Sequence, residues 1–80
     1  MPFLPDRCIE YISATFSVPP EELDHGAALF STGLLDSFCL VDLLAYVESE
    51  AGIRVRPTDI SLENFDSVER IAQYVQRRTK

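Results

Sequence analysis

The sequence predicts an all-α fold, a four-helix bundle with three long helices, one short helix and a long loop between helices one and two. Three segments repeat apolar residues at three- and four-residue spacings, as amphipathic helices do, and Pro or Gly lies near the ends of the first two. Only residues 53–56 alternate like a strand, and no second strand is predicted to pair with them. A chain of 80 residues predicts a single domain, residues 1–80, with one small core and room for one site.

The first helix is predicted from Pro5 to Phe16. Proline suits the first helical position, and Asp6 follows in the first turn, where the helix dipole favours negative charge. Val18-Pro19-Pro20 ends the helix. Its core stripe is expected to consist of Cys8, Ile9, Ile12 and Phe16.

A long connection, the nineteen residues from Ser17 to Leu35, separates the first two helices. Connections of this length are usually either functional or disordered. The apolar residues in this one predict that it is ordered and packs on the bundle. The expected anchors are Leu23, Ala27, Ala28, Leu29 and Phe30.

The second helix, Ser37 to Ala51, has the clearest pattern in the chain. It contains no Gly, Pro or positive charge, and Gly52 follows it in the position where glycine is favoured after a helix. Its core stripe is predicted to be Leu40, Leu43, Leu44 and Val47.

The remaining chain predicts a short helix and a long one. Residues 53–56 form an extended linker, Pro57 to Ile60 a one-turn helix, and Asn64 to Asp66 a turn. Asp66 and Glu69 fit a capping box at the start of the last helix. Its core stripe is predicted to be Val68, Ile71, Ala72 and Val75.

Charge is divided unevenly along the chain, whose net charge is −6. No Lys or Arg occurs between Arg7 and Arg54, whereas residues 8–53 contain eight acids. A nucleic-acid ligand is disfavoured, because binding to phosphates requires a basic face. The acidic segment favours a basic protein partner instead.

Several classes of function are disfavoured by features that the sequence lacks. Its apolar runs are too short to span a membrane and no export signal is recognised, so the cytoplasm is the expected location. Cys8 and Cys39 match no metal-ligand spacing and are expected to be free thiols, and no metal site is predicted. Thiol catalysis by Cys39 with the single histidine, His25, is disfavoured because nothing brings a base to the thiol.

Ser37 is the leading candidate for chemistry, because it lies where a loop meets the start of the second helix. Unpaired backbone N–H groups and the positive end of the helix dipole favour a phosphate at such a position. The sequence therefore predicts an exposed hydroxyl suited to a phosphoester. The alternative is that Ser37 is only a helix cap. Asp36 beside it is also a candidate N-cap, a role that can coexist with a functional one.

Three motifs resemble the carrier proteins that bear 4′-phosphopantetheine: Gly33-x-x-Asp36-Ser37-Phe38, Gly52-Ile53-x-Val55 and Phe65-Asp66-Ser67-Val68. The resemblance extends over nearly the whole chain in order and spacing. The family includes acyl carrier proteins and peptidyl or aminoacyl carriers. The common form has Gly before the Asp and Leu after the Ser. Residues 33–38 depart from it at both places and are more similar to stand-alone D-alanyl and other aminoacyl carriers than to fatty-acid carriers.

The resemblance implies that Ser37 is the attachment site. A phosphopantetheinyl transferase would esterify its hydroxyl from coenzyme A, and the thiol of the arm would hold an acyl or aminoacyl group as a thioester. Asp36 matches the acidic neighbour that assists recognition and metal binding in the transferase complex. The other implied partners are a loading ligase or adenylating enzyme and downstream transferases or synthases. The carrier itself is expected to be a monomer and not an enzyme.

Partner docking is predicted on the exposed face of the second helix. Phe38, Val41 and Ala45 lie away from the core stripe and close to Ser37, so they supply an apolar centre. Asp42 and Glu48 supply charge, which mainly sets encounter rate and orientation.

Two alternative functions stay open on the sequence alone. One is an unmodified acidic helical adaptor that binds a basic partner, and the other is a small hydrolase that uses Cys39. The cargo is open as well. A long alkyl chain, at about 0.8 kcal/mol for each buried CH₂, would be drawn between helices near Leu29, Leu44 and Val47, whereas a polar aminoacyl group would stay in solvent. Phe38 favours an aminoacyl or short acyl unit in secondary metabolism or a cell-envelope pathway.

Overall fold

The structure, a computed structural model, describes residues 3–79 and contains four α-helices within that range. They are α1 (Pro5–Phe16), α2 (Ser37–Ala51), α3 (Leu62–Phe65) and α4 (Val68–Arg78). Single 3₁₀ turns lie at Pro20–Glu22 and Pro57–Asp59. No strand occurs in residues 3–79, so the predicted all-α bundle is confirmed.

Helices α1 and α2 have the bounds that the sequence predicted. Pro5 occupies the first turn of α1, and the helix ends at Ser17, which has a left-handed φ of 58°. Gly52 ends α2 in the same region, with a φ of 68°, which glycine adopts readily because it has no Cβ.

One hydrophobic core joins the helices and the long connection. Its buried members are Cys8, Ile12, Val18, Leu23, Leu29, Leu35, Leu43, Val47, Val55, Phe65, Val68, Ile71, Tyr74 and Val75. Four of them, Val18, Leu23, Leu29 and Leu35, belong to the connection, which confirms that this segment is ordered. Burying each such side chain stabilises the fold by about 2 kcal/mol, which offsets part of the conformational entropy lost when the segment is ordered.

The short helix lies later in the chain than the sequence indicated. Pro57–Asp59 forms a single 3₁₀ turn, but residues 64 and 65, predicted to be in a turn, belong to α3. The Phe65 N–H donates to the Ser61 carbonyl at 3.0 Å, and the Phe65 side chain is only 1% exposed. Burial of that aromatic ring stabilises a helical turn that is too short to form by itself.

The predicted capping box at Asp66 and Glu69 is wrong. Ser67 caps α4, because its hydroxyl oxygen accepts the Arg70 N–H at 3.1 Å. Asp66 lies one residue before the cap, and its carboxylate points to a different part of the chain.

Asp66 holds the long connection on the bundle through a set of hydrogen bonds that we call the loop clamp. Oδ1 of Asp66 accepts the N–H groups of Phe30 at 2.8 Å and Ser31 at 2.9 Å, and Oδ2 accepts the Ser31 hydroxyl at 2.7 Å. The Asp66 carbonyl also accepts the Leu29 N–H, at 2.6 Å. The Leu29 carbonyl then accepts the Leu35 N–H at 2.8 Å. The loop clamp therefore fixes the residues that lead into α2.

The loop clamp lowers the pKa of the Asp66 carboxyl below its usual range. Burial of the group acts to raise the pKa, but the hydrogen bonds from Ser31 and Phe30 favour the charged form and outweigh it. Because the pKa of Asp66 is lower in the folded state than in the unfolded state, the stabilisation by the loop clamp is fully present at pH values above the unfolded-state pKa. That stabilisation is lost as the pH falls through the folded value.

We expect Asp66→Asn to lower the free energy of unfolding by about 2 kcal/mol at pH 7, because the charge-assisted hydrogen bonds to Phe30 and Ser31 are weakened. The difference in unfolding free energy between the wild type and the variant should narrow as the pH falls from 5 to 3, because protonation removes the charge of the Asp66 carboxylate. Urea unfolding followed by circular dichroism measures both values.

Glu63→Gln is the control, since Glu63 is an exposed acid on α3. It should change the stability by less than about 0.5 kcal/mol at either pH. A difference between Asp66→Asn and the wild type that is the same at pH 5 and pH 3 would contradict the loop clamp.

Candidate functional site

Ser37 is the first residue of α2, and its side chain is exposed. The chain reaches it through Gly33, which has a φ of 81° and whose N–H donates to the Phe30 carbonyl at 3.1 Å. The loop clamp holds Phe30 and the core holds Leu35, so the segment that leads to Ser37 has a fixed position. The sequence-predicted hydroxyl at a loop-to-helix junction is therefore present and accessible.

Asp36, and not Ser37, caps α2. Oδ1 of Asp36 accepts the N–H groups of Phe38 and Cys39, both at 3.0 Å. Hydrogen bonds from the backbone and side chain of Cys39, and from the Phe38 N–H, lower the pKa of Asp36 below its usual range. The carboxylate is thus ionised at neutral pH, and the Ser37 hydroxyl is not needed for capping.

The expectation that free N–H groups at the start of α2 would receive a phosphate is partly wrong. The N–H groups of Phe38 and Cys39 are already paired with Asp36. The negative charge of Asp36 also offsets the positive end of the helix dipole. A phosphate attached at Ser37 therefore finds fewer backbone donors than the sequence indicated.

An open groove of about 410 Å³ begins beside Ser37. Its lining consists of Phe30, Leu35, Asp36, Ser37, Leu40, Ile60, Ser61, Leu62 and Phe65. The walls are mostly apolar, and polar groups lie at Asp36, Ser37 and Ser61. Since Ser37 itself lines the groove, a slender group attached to its oxygen fits into or along this space.

The residues that the sequence offered as the lining of an acyl cavity do not border this groove. Leu29 and Val47 are fully buried in the core, and Leu44 packs against it. The groove instead uses Ile60 and Leu62, which are 38% and 52% exposed. The sequence did not indicate them, because Ile60 was predicted to lie in a one-turn helix and Leu62 was assigned to no element. Two exposed apolar residues outside any core stripe are the signal that would have indicated this wall.

Four of the five predicted docking residues lie on one exposed face of α2. Phe38 is 82% exposed and Val41 66%, and both Asp42 and Ala45 are exposed as well. Their three- and four-residue spacings place them in one patch that starts next to Ser37.

The fifth predicted docking residue, Glu48, makes a contact within the chain. Its Oε2 accepts the Val55 N–H at 2.7 Å, which ties the last turns of α2 to the linker that follows. Glu50, the second-last residue of α2, forms an ion pair with Arg7 of α1 at 3.2 Å. The acids near the end of α2 therefore contribute to the fold, whereas Asp42 is exposed near its start.

Cys8 and Cys39 are free thiols, as predicted. Burial raises the pKa of Cys8 to about 12, so it stays protonated. His25 is paired with Asp6 of α1, with 2.8 Å between Nε2 and Oδ1.

Within residues 3–79, none of the helices is both long and apolar enough to cross a membrane. The same residues contain no cluster of three or more His, Cys, Asp or Glu side chains suited to holding a metal ion.

Comparison with known proteins identifies the family. A family model described as a phosphopantetheine attachment site matches residues 7–75. The chain is 36% identical over 58 residues to the D-alanyl carrier protein of Abiotrophia defectiva, covering 72% of this chain and 71% of that protein. It is 44% identical over 46 residues to the D-alanyl carrier protein of Bacillus pumilus (strain SAFR-032), covering 58% of this chain and 59% of that protein.

The family match runs from α1 to α4 and so includes the start of α2, the groove and the loop clamp. Neither an unmodified adaptor nor a Cys39 hydrolase agrees with it. The chain therefore belongs to the phosphopantetheine-attachment family: it is a carrier protein with covalently attached phosphopantetheine, and it is not an enzyme.

Proposed function

We propose that Ser37 bears the phosphopantetheine and that the chain carries an aminoacyl group, with D-alanine as the first candidate. The main support for Ser37 is its exposed hydroxyl at the start of α2. Asp36 caps the helix in its place, so the hydroxyl is free to react, and Ser37 lines the groove. The D-alanyl carriers named above support the class of cargo.

The attached group would supply a terminal thiol that holds the cargo as a thioester, and the residues of the chain would position it. The loop clamp fixes the approach to Ser37. Asp36 keeps the first turn of α2 intact and places an ionised carboxylate beside the attachment point, where a transferase with a metal ion would meet it. Leu40 and Leu62 offer apolar walls along which the arm can lie.

A small cargo agrees better with the packed core than a long alkyl chain. The groove is open, and Ser61 lies in its lining. Leu29 and Val47, which would have to move apart to admit a long chain, are fully buried in the core. Forcing extra methylene groups into a packed core costs about 1–3 kcal/mol, which offsets the first few buried CH₂ groups.

The exposed patch of Phe38, Val41, Asp42 and Ala45 supports weak and reversible docking of several enzymes. An apolar centre with an acidic neighbour favours fast encounters with basic surfaces. The proposed partners are a phosphopantetheinyl transferase, an adenylating ligase that loads the amino acid, and a downstream transferase or synthase. We propose that a monomeric carrier meets them in the cytoplasm, in a cell-envelope or secondary-metabolite pathway.

We expect the wild-type protein to gain the mass of one phosphopantetheine arm on incubation with coenzyme A and a broad-specificity transferase. Ser37→Ala should gain none, because the attacking hydroxyl is absent. Ser67→Ala is the matched control, since Ser67 is the other serine that follows an Asp. It should be modified fully, although losing the cap of α4 lowers its stability by about 1 kcal/mol. A gain of one arm by the Ser37→Ala variant would contradict the assignment of Ser37 as the attachment site.

The docking patch is tested by the kinetics of arm attachment. Phe38→Ala should raise the KM about tenfold without changing the melting temperature, because the ring is exposed. Asp42→Asn should raise the KM about threefold at low salt and less at high salt, where charges are screened.

Glu48→Gln distinguishes a role of Glu48 in the fold from a role in docking. The hydrogen bond to Val55 leads us to expect a loss of about 1 kcal/mol in unfolding free energy with the KM unchanged. A raised KM with unchanged stability would assign Glu48 to docking.

The cargo is tested by the intact mass of the loaded protein isolated from its native cell. We expect the arm plus one alanine, with the stereochemistry read after hydrolysis of the thioester. A long acyl chain in its place would contradict the aminoacyl cargo and leave the attachment at Ser37 standing.

A further inference from the structure

Four arginines lie beside α3 and the 3₁₀ turn before it, although the protein as a whole is acidic with a net charge of −6. They lie on α4 and in the linker before the 3₁₀ turn, and we call them the arginine collar: Arg56, Arg70, Arg77 and Arg78. None of them took part in the functional site described above.

Each guanidinium of the arginine collar is held by a contact within the chain. Nε of Arg56 donates to Oδ2 of Asp59 at 2.9 Å, and Nη1 of Arg78 approaches the same oxygen at 3.4 Å. Nη2 of Arg77 donates to Oδ1 of Asn64 at 2.9 Å. These contacts fix the side chains in advance, which lowers the entropy that a partner would otherwise have to overcome.

Tyr74 forms the centre of the arginine collar. Its ring is 3% exposed, and the guanidinium carbons of Arg77 and Arg78 lie 5.9 and 5.7 Å from the ring centroid. Its hydroxyl donates to Oδ2 of Asp59 at 2.8 Å and accepts from Nη1 of Arg78 at 2.6 Å. Hydrogen bonds from Tyr74 and Arg56 lower the pKa of Asp59, so this carboxylate remains charged within the collar.

The arginine collar keeps free N–H donors and lies in a segment, residues 54–80, that has six cations and four acids. Of these acids, Asp59 is shared between Arg56 and Arg78, Asp66 belongs to the loop clamp, and Glu63 and Glu69 are exposed. A guanidinium has five N–H donors, and these contacts use only one or two of them on each arginine. The remaining donors are available to carboxylates from outside, which arginine can bind in a bidentate manner.

The arginine collar adjoins the groove beside Ser37. Nη1 of Arg70 donates to the Leu62 carbonyl at 3.4 Å, and the Leu62 side chain forms part of the groove wall together with Ile60. Exposed apolar side chains bordered by charged ones are the arrangement found in protein interfaces.

We propose that the arginine collar, with Ile60 and Leu62, is a second docking surface that binds an acidic segment of a partner protein. The net charge of −6 argues for a local acidic segment, since an extended polyanion such as an anionic membrane would also be repelled by the rest of the molecule. The inference rests on the proposed function only in that the partner comes to the groove at Ser37. The arginine collar would then form a basic surface on one side of the groove, and the acidic residues of α2 would lie on the other.

The test uses the ¹⁵N-labelled full chain without the arm, titrated with a synthetic hexaglutamate peptide and followed by NMR. We expect the Nε–Hε signals of Arg56, Arg70, Arg77 and Arg78 to shift, with weaker affinity when NaCl rises from about 20 to about 150 mM. Arg77→Gln should weaken binding about threefold.

Arg7→Gln is the matched control, because Arg7 lies on α1 and pairs with Glu50. It should leave the affinity within about 1.5-fold of the wild type. Equal weakening by Arg7→Gln and Arg77→Gln, or no shift at the collar, would overturn the proposal. Co-sedimentation with phosphatidylglycerol vesicles that depends on Arg77 would overturn it too, by assigning the surface to lipid. Because the protein is unmodified in this experiment, failure here is separate from failure of arm attachment at Ser37.

Discussion

The carboxylate of Asp66 makes the interaction on which the rest of the structure depends. The long connection between α1 and α2 contains only one 3₁₀ turn, so most of its N–H groups find no partner in a regular helix. Asp66 lies 36 positions after Phe30 and 35 after Ser31, and it accepts hydrogen bonds from both. Its own carbonyl accepts the Leu29 N–H, and Leu29 in turn binds Leu35. The constraint thus passes from the end of α3 to the start of α2, and it gives Ser37 a defined place on the surface.

The start of α2 separates two tasks that a single serine cannot perform together. A serine that caps a helix has its oxygen occupied by backbone N–H groups, whereas a serine that is to be esterified needs that oxygen accessible. Asp36 takes the capping role, and Ser37 stays exposed at the edge of the groove. The same arrangement keeps a charged carboxylate beside the hydroxyl, because the hydrogen bonds that cap the helix also lower the pKa of Asp36.

Charge in this carrier is divided in space as well as along the chain. The face of α2 beside Ser37, where we propose that partners dock, combines Phe38 and Val41 with the acid Asp42, and this combination would favour basic partners. Across the groove, α3 lies among arginines fixed by Asp59, Asn64 and Tyr74. A partner with both kinds of charge would be oriented as it approaches, which matters for a carrier that several enzymes must engage in turn. Weak contacts are enough for this, since a tethered cargo already has a high local concentration at the docked enzyme.

The sequence by itself determined the elements whose signals are local. Proline at Pro5, glycine at Gly52 and the apolar repeats gave the bounds of α1 and α2 and most of the core, because these features act within a few residues of chain. Only the tertiary structure decided how two identical dipeptides are used. Asp36-Ser37 and Asp66-Ser67 both lie at the start of a helix, yet Asp36 caps α2 and Ser67 caps α4. The difference arises because Asp66 meets the N–H groups of Phe30 and Ser31, which are remote in sequence, and no local pattern records that contact. The groove wall at Ile60 and Leu62 was decided in the same way, by the packing of Phe65 into the core.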